Sequence, residues 1–515
     1  MKEQSEERKK AVGGVAGFAR RRADVLGACA LYAALFLAWN ASGGVFHVWP
    51  DLWQLLPWPP LVEDLSGAML DLHSQPPFLN LLFGLALQAS VATSLPVETL
   101  LQPVYFAVGG ASVATFAVLA RRLVSCPAVR WIVVLLFVAN PYLYASLHYL
   151  FYTPWELIFL LLSALHGLRL LERPSLGRFA AALAPAVLLV YTRSLFHPIW
   201  FVGLVVLIAL LTRPALPGRR GAMVASAALL LVAAWPMKNL ARFGFFGYSS
   251  WSGMSIARGL PTGEPLLPSG YQARLGAFAR TSNEPPAPGS VERAEWLVPS
   301  EFRDRPALAS VAKPDGSPNW NHYALIPLSR ELGTAALATL RENPSLLFMK
   351  AADFYANGYT LYEARWPYKT GYSPEMTTGQ GWAKAYEMVV FLPFRDYDPA
   401  VTRISTGFAI LFPLIIVAAL VVLWRRRRDW DAQDRTVVLM LFSIGWVFAM
   451  VLFVDGPEGN RVRYSTEPFL FLIAGWLLGS QRSGGRRSGG GRSVERVQSA
   501  RQADGEPSEE RLDQK

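Results

Sequence analysis

The chain predicts an all-α integral membrane protein of many spans, and three observations carry that prediction. Of its 515 residues, 52% are hydrophobic and only 17% are charged. Several apolar runs reach about eighteen residues or more, enough to cross roughly 30 Å of hydrocarbon. Short basic patches sit beside those runs at Arg20 to Arg22, Arg121-Arg122, Arg219-Arg220 and Arg425 to Arg428. Such patches orient spans and touch anionic headgroups. The net charge of +11 therefore points to membrane lipids as partners and away from nucleic acid.

Residues 1–24 read as a basic cytoplasmic start. The apolar run that follows has no small-residue cleavage site, so 25–46 is expected to stay as an uncleaved first span. Further spans are expected over 78–97, 104–120, 131–149, 154–171, 178–194, 197–212, 222–240, 404–424, 436–454 and 467–480, about eleven helices in all. Residues 25–240 thus form one transmembrane module and 404–480 a C-terminal set of helices. Counted back from the C-terminus, the arginine patches and Arg173 fall on the cytoplasmic side. Counted forward from the basic start, the parity fails by one crossing within 78–120: either a span there is re-entrant or split, or an odd number of crossings puts the tail outside. Residues 481–515 are rich in Gly, Ser, Arg and Glu and are expected to be disordered.

Two regions lie outside the bundle, a first extracytoplasmic loop over 47–77 and a large one over 241–403. In the first, Pro59-Pro60 opens a stretch where Leu61, Leu65, Met69 and Leu72 share a helical face, the pattern of an interfacial helix. Its acids Glu63, Asp64 and Asp71 are expected to point to water. In the second, Asn343-Pro344 starts a helical spacing of Leu347, Ala351, Phe354 and Gly358.

The residues with chemical potential gather in and around these loops. Asp51, in Trp49-Pro50-Asp51-Leu52-Trp53, is a carboxylate at the interface, where partial burial would raise its proton affinity and suit a general base. The alternative is an interfacial acid among belt aromatics. His73-Ser74-Gln75-Pro76-Pro77 stops one helix and starts the next, because fixed proline φ suits a first turn. Arg193, at a span end, fits either a phosphate ligand or a snorkelling anchor. Lys238 and Arg242 fit a phosphate site or ordinary flanking cations. Cys29 and Cys126 have no ligand spacing or disulfide framework around them, and the histidines are scattered. No metal and no cofactor is expected.

In its order of motifs the chain resembles the GT-C membrane glycosyltransferases, within them the protein mannosyltransferase and lipid A aminoarabinose transferase group. An acid after the first span, an interfacial helix and a polar residue before Pro-Pro make up the first part. Asn140-Pro141-Tyr142-Leu143 with Tyr149 and Pro154-Trp155-Glu156 is similar to the family's Pro-to-acid segment, although many members have Asp at the last position. Trp235-Pro236-Met237-Lys238-Asn239, Phe243-Gly244 and Ser249 to Gly253 resemble the exit into the family's large loop. Arg461-Val462-Arg463-Tyr464-Ser465-Thr466-Glu467-Pro468 resembles the Arg-Tyr motif before a late span.

The resemblance implies a GT-C-like bundle and a polyprenyl-phosphate-linked sugar donor, while the preference for Arg over Lys with abundant Ala points to a GC-rich bacterial genome and so to a bacterial inner membrane. It implies transfer with inversion to an extracytoplasmic glycan, lipid or protein acceptor. Asp51 would be the base and Asp64 the reserve, with Asp71 expected in solvent. His73, Gln75, Glu156, Arg193, Lys238, Arg463 and Tyr464 would bind substrate, Arg463 first among the phosphate ligands because guanidinium groups meet phosphate oxygens bidentately. The rival readings are an O-antigen ligase or polymerase and a lipid-carrier flippase or transporter. The latter calls for mid-span polar residues or inverted repeats, which the sequence does not display.

Overall fold

The computed structural model describes residues 23–49, 52–212, 218–258, 260, 298–355, 382, 385–386, 410–455 and 459–480. Asp51 and the segment 481–515 lie outside the described residues. Among the described residues the regular structure is helical, with only the isolated bridges His47–Tyr149 and Ala312–Pro318.

In chain order the helices are α1 (Ala23–Ala41), α2 (Trp58–Glu63), α3 (Leu65–Asp71), α4 (Phe78–Thr93), α5 (Val97–Leu123), α6 (Pro127–Val138) and α7 (Pro141–Leu147). They continue with α8 (Thr153–Glu172), α9 (Leu176–Thr192), α10 (Pro198–Thr212), α11 (Gly218–Phe243) and α12 (Ser252–Arg258). The large loop contributes α13 (Pro306–Ala309), α14 (Leu325–Glu342) and α15 (Ser345–Phe354). The last are α16 (Phe412–Arg425), α17 (Ala432–Met450), α18 (Gly459–Tyr464) and α19 (Glu467–Ser480). Among the described residues five helices, beginning at Ala23, Val97, Thr153, Gly218 and Ala432, are long and apolar enough to cross a membrane, six if the bent pair α6–α7 counts as one span. Shorter apolar helices are α4, α9, α10, α16 and α19.

Helix α8 is the hub, buried on most faces and packed on α5, α9 and α17. Helix α1 buries the stripe Tyr32, Phe36, Trp39 and leaves Leu26 and Leu37 outward, as a lipid-facing rim helix should. The Tyr32 hydroxyl donates to the Phe106 carbonyl at 2.9 Å. A Cβ on Gly109 would lie 2.3 Å from that hydroxyl, so only glycine lets α5 come this close.

The two ends of the bundle differ. At one, Arg122 pairs with Glu172 at 2.7 Å, Arg130 with Asp24 at 3.3 Å, and Gln433 Nε2 donates to the Arg122 carbonyl at 2.6 Å. At the other, His148 Nε2 meets Asn40 Oδ1 at 2.5 Å and Trp446 Nε1 donates to the Leu195 carbonyl at 2.9 Å. Helix α4 was expected to span between these ends, and it does not. Its first residue, Phe78, packs on Trp155 and Phe159 at the start of α8, with ring centroids 5.0 and 5.7 Å apart. Its last is followed at once by α5, whose Tyr105 hydroxyl donates to the Phe151 carbonyl at 2.7 Å, while the far end of α5 carries Arg122. Both ends of α4 are therefore on the side away from the arginine patches. What holds it there is the first loop: Asn80 accepts from the Leu56 amide at 2.7 Å and donates to the Gln54 carbonyl at 2.8 Å, both in the stretch before α2, and Gln88 Nε2 reaches the Val62 carbonyl of α2 at 3.3 Å. With α4 set aside, α1, α5, α6–α7, α8, α9, α10, α11, α16, α17 and α19 alternate in direction. The end of α19 returns to the side where α1 begins, Ser125 Oγ donating to the Gly479 carbonyl at 3.3 Å beside the Arg130–Asp24 pair.

The described part of the large loop has its own small cores, one of Val311, Leu325, Leu328 and Leu332 and another of Phe243, Val298, Phe302, Leu308 and Ile326. Helices α12 and α14 cross at glycines: a Cβ on Gly253 would lie 1.8 Å from the Ser329 carbonyl oxygen. The helix expected after Asn343-Pro344 is α15, with Phe348 and Met349 exposed; Gly358 lies outside the described residues.

Candidate active site

The described candidates, taken from widely separated positions, lie at the end of the bundle away from the arginine patches. His47 sits there too, its amide donating to the His148 carbonyl at 2.8 Å and its carbonyl accepting from Leu150 at 3.0 Å. That parallel bridge ties the chain leaving α1 to the turn before α8, close to where the segment of Asp51 begins.

Two buried ion pairs flank the first turn of α8. Glu156 enters that turn because Thr153-Pro154 starts the helix, and its carboxylate is fully buried. Arg193 ends α9, which runs antiparallel to α8, so its Nη1 lies 3.2 Å from each Glu156 oxygen and its guanidinium stands 4.9 Å from the Tyr152 ring centre. The Arg193 side chain is 5% exposed, so it is packed inside the protein rather than reaching outward as a snorkelling anchor would. The second pair is Arg463 and Glu467, one helical turn apart, with Nε 2.9 Å from Oε1. Helix α18, which carries Arg463, packs on α8, and Tyr464 beside it lies against Tyr142 of α7 with centroids 4.3 Å apart. The Tyr464 hydroxyl and the Glu467 carboxylate are both buried. Buried charges are costly unless paired, so two such pairs beside one helix start are a functional-site signal.

The first loop forms the adjoining wall. Leu61 and Leu72 are buried and Leu65 and Met69 pack against the core, so the shared face of α2 and α3 turns inward as expected. The acids divide differently from the expectation. Asp64 is exposed and caps α3, accepting from the Gly67 amide and the Ser66 hydroxyl at 2.9 Å each. Those bonds hold its carboxyl below the usual range. Asp71, expected in solvent, is buried, paired with Arg242 and 3.8 Å from Arg305. Its partners come from α11 and the large loop, which no local pattern could indicate.

His73 is fully buried, its Nδ1 2.9 Å from the Ser250 hydroxyl and its ring edge-on to Phe243 at 5.1 Å. Burial, with the Lys238 charge adding, pushes its pKa down to about 3, so it is a neutral imidazole at neutral pH. Its Nε2 is buried and has no hydrogen-bond partner among the described residues. Gln75 is half-buried at the turn into α4. Lys238 donates to the carbonyls of Leu70 and Leu72 and stands 3.8 Å from the Trp235 ring centre. It thus holds the first loop onto α11, a role more structural than the phosphate contact expected of it.

Sequence reasoning missed Asn321. Its side chain accepts from the amides of His73 and Ser74 at 2.9 and 3.0 Å. The only local cue is the run Asn319-Trp320-Asn321-His322, polar and aromatic within an otherwise irregular loop. Among the described residues no group of three His, Cys, Asp or Glu is placed to hold a metal ion.

No protein-family model and no curated protein matches the chain. Solved structures similar to it include ArnT from Cupriavidus metallidurans bound to undecaprenyl phosphate, with 15% identity and a TM-score of 0.33 over 88% of this chain and 78% of that one. The same protein in the apo state gives 15% and 0.32 over 89% and 79%. The functional reading therefore rests on the residues of this chain.

Proposed function

We propose that the chain is an integral membrane glycosyltransferase of the GT-C type, moving a sugar with inversion from a polyprenyl phosphate to an extracytoplasmic acceptor. One observation carries the reading: Glu156, Arg193, Arg463, Tyr464 and His73, drawn from motifs spread over most of the chain, converge on one end of the bundle. That end lies opposite the arginine patches, which by the positive-inside rule makes it extracytoplasmic. A lipid-borne phosphate at headgroup depth would meet Arg463 and Arg193 there, each already held by a carboxylate that fixes its fork.

The residues divide the chemistry between them. Asp51 takes the proton of the acceptor hydroxyl or amine as it attacks the anomeric carbon, and the bond from that carbon to the phosphate oxygen breaks. The guanidinium groups stabilise the negative charge on the departing polyprenyl phosphate. Asp64, exposed and engaged as a helix cap, is no longer the natural reserve base. His73, neutral and buried, contributes shape and hydrogen bonding rather than charge.

The test is turnover of purified protein with a panel of polyprenyl-phosphate sugars. Asp51→Asn, which keeps size but cannot take the proton, is expected to lower turnover roughly 10²- to 10⁴-fold with folding intact. Arg463→Lys is expected to lower it as well, because an ammonium cannot supply paired donors. Normal turnover in both variants would remove the reading.

A further inference from the structure

Between the end of α3 at Asp71 and the start of α4 at Phe78 the chain has no helix, yet Asp71 to Ser74 are buried. Buried backbone groups must find partners, and here side chains from more than 170 residues away supply them. Asn321 Oδ1 accepts from both the His73 and Ser74 amides, at 2.9 and 3.0 Å. Its Nδ2 donates to the carbonyls of Asp71 and Ala307, at 3.0 and 3.2 Å. Both acceptor sites and both donor hydrogens of the amide are thus in use. Ser or Asp cannot reproduce that set, and Gln would overreach it. On the other side, the Ser250 amide donates to the His73 carbonyl at 2.9 Å and the Ser249 hydroxyl donates to the Ser74 carbonyl.

The strap is itself anchored. The Asn321 backbone N–H donates to Asn319 Oδ1 at 3.1 Å, and Asn319 Nδ2 donates to the Ser310 carbonyl at 2.8 Å. The described part of the large loop therefore holds one wall of the candidate site by its backbone.

We propose that Asn321 is a positioning residue for the reaction: by accepting from both the His73 and Ser74 amides it fixes the turn that carries His73 and Gln75, without touching substrate itself. The role in catalysis rests on the glycosyltransferase reading, whereas the strap is a separate and directly measurable claim. An active-site wall displaced by about 1 Å can cost roughly 100-fold in rate, which is what such an anchor prevents.

The experiment compares the full-length protein with Asn321→Ala and, as a milder second variant, Ser249→Ala. Amide hydrogen exchange and steady-state kinetics are measured on the same preparations. In Asn321→Ala the His73 and Ser74 amides lose one shared acceptor, and their exchange is expected to rise about 10- to 100-fold, with the transmembrane helices unchanged. Turnover should fall by about 10- to 100-fold in kcat, with KM moving less than about threefold. Ser249→Ala, which removes one donor to Ser74, should show the same pattern more weakly. Unchanged exchange at His73 and Ser74 in either folded variant would refute the strap. Exchange rising equally throughout the bundle, or a loss confined to KM, would overturn the positioning role in favour of plain stability or binding. If Asn321→Ala does not fold, Ser249→Ala alone decides by the same criteria. A wild-type protein inactive with every donor would remove the catalytic reading, and the exchange data would still decide the strap.

Discussion

Replacing Arg193 by alanine tests the buried pair beside α8 most directly. With Nη1 at 3.2 Å from each Glu156 oxygen, the attraction is about 5 kcal/mol at an effective dielectric of about 20. Most of that offsets the desolvation of two ions, so the pair itself contributes little net stability. The single variant is different, because it leaves Glu156, fully buried, without its counter-charge. Breaking a buried pair in this way costs about 3 to 5 kcal/mol. The double variant Arg193→Met with Glu156→Leu removes both charges, keeps most of the volume and should regain nearly all of that loss. The assay is unfolding of purified protein in one detergent, as a double-mutant cycle with turnover read in parallel. If the pair serves the site, the double variant is stable and inactive; if it serves only the fold, it is stable and active. A single variant as stable as the parent would refute the geometry.

The remaining expectations concern pH and topology. His73 is held neutral in the fold, down to about 3 against an ordinary value of 6.5. Below about pH 6.5 the unfolded chain therefore takes up a proton that the folded chain refuses. Stability from this group is complete above that pH and falls as pH drops toward 3, by up to about 1.4 kcal/mol per pH unit. His322, lowered to about 4 by burial, acts in the same direction. Unfolding measured from pH 7.5 to 5 should show the decline in the parent and a shallower one in His73→Asn; equal slopes would contradict the burial of this ring. For topology, a cysteine at Leu95, in the exposed turn between α4 and α5, and one at Asp315 should both react with an impermeant thiol reagent in intact cells lacking Cys29 and Cys126. Labelling of Leu95→Cys only after lysis would show that α4 crosses after all.

Much of the architecture was legible in the sequence because its signals are local. Apolar length marks a helix wherever it goes, Pro76-Pro77 restarts the chain, and the spacing of Leu61, Leu65, Met69 and Leu72 describes a face whatever that face meets. The same periodicity could not say that α4, apolar like its neighbours, stays on one side. Its direction is decided by Asn80 gripping the turn before α2, by Gln88 gripping α2 and by Phe78 gripping α8. Nor could it place Asp71, the last of three acids that all look exposed, since its partner Arg242 is 171 residues away. Arg193 was visible as a cation at a helix end, but its burial depends on α9 running antiparallel to α8 so that Glu156 arrives opposite. Asn321 gave almost no signal, because an amide shows its value only once two backbone N–H groups from a distant loop are set before it. Helix formation and membrane affinity are properties of a segment and its immediate neighbours. The pairing of charges and the satisfaction of buried backbone are properties of surfaces that meet only after the chain has folded.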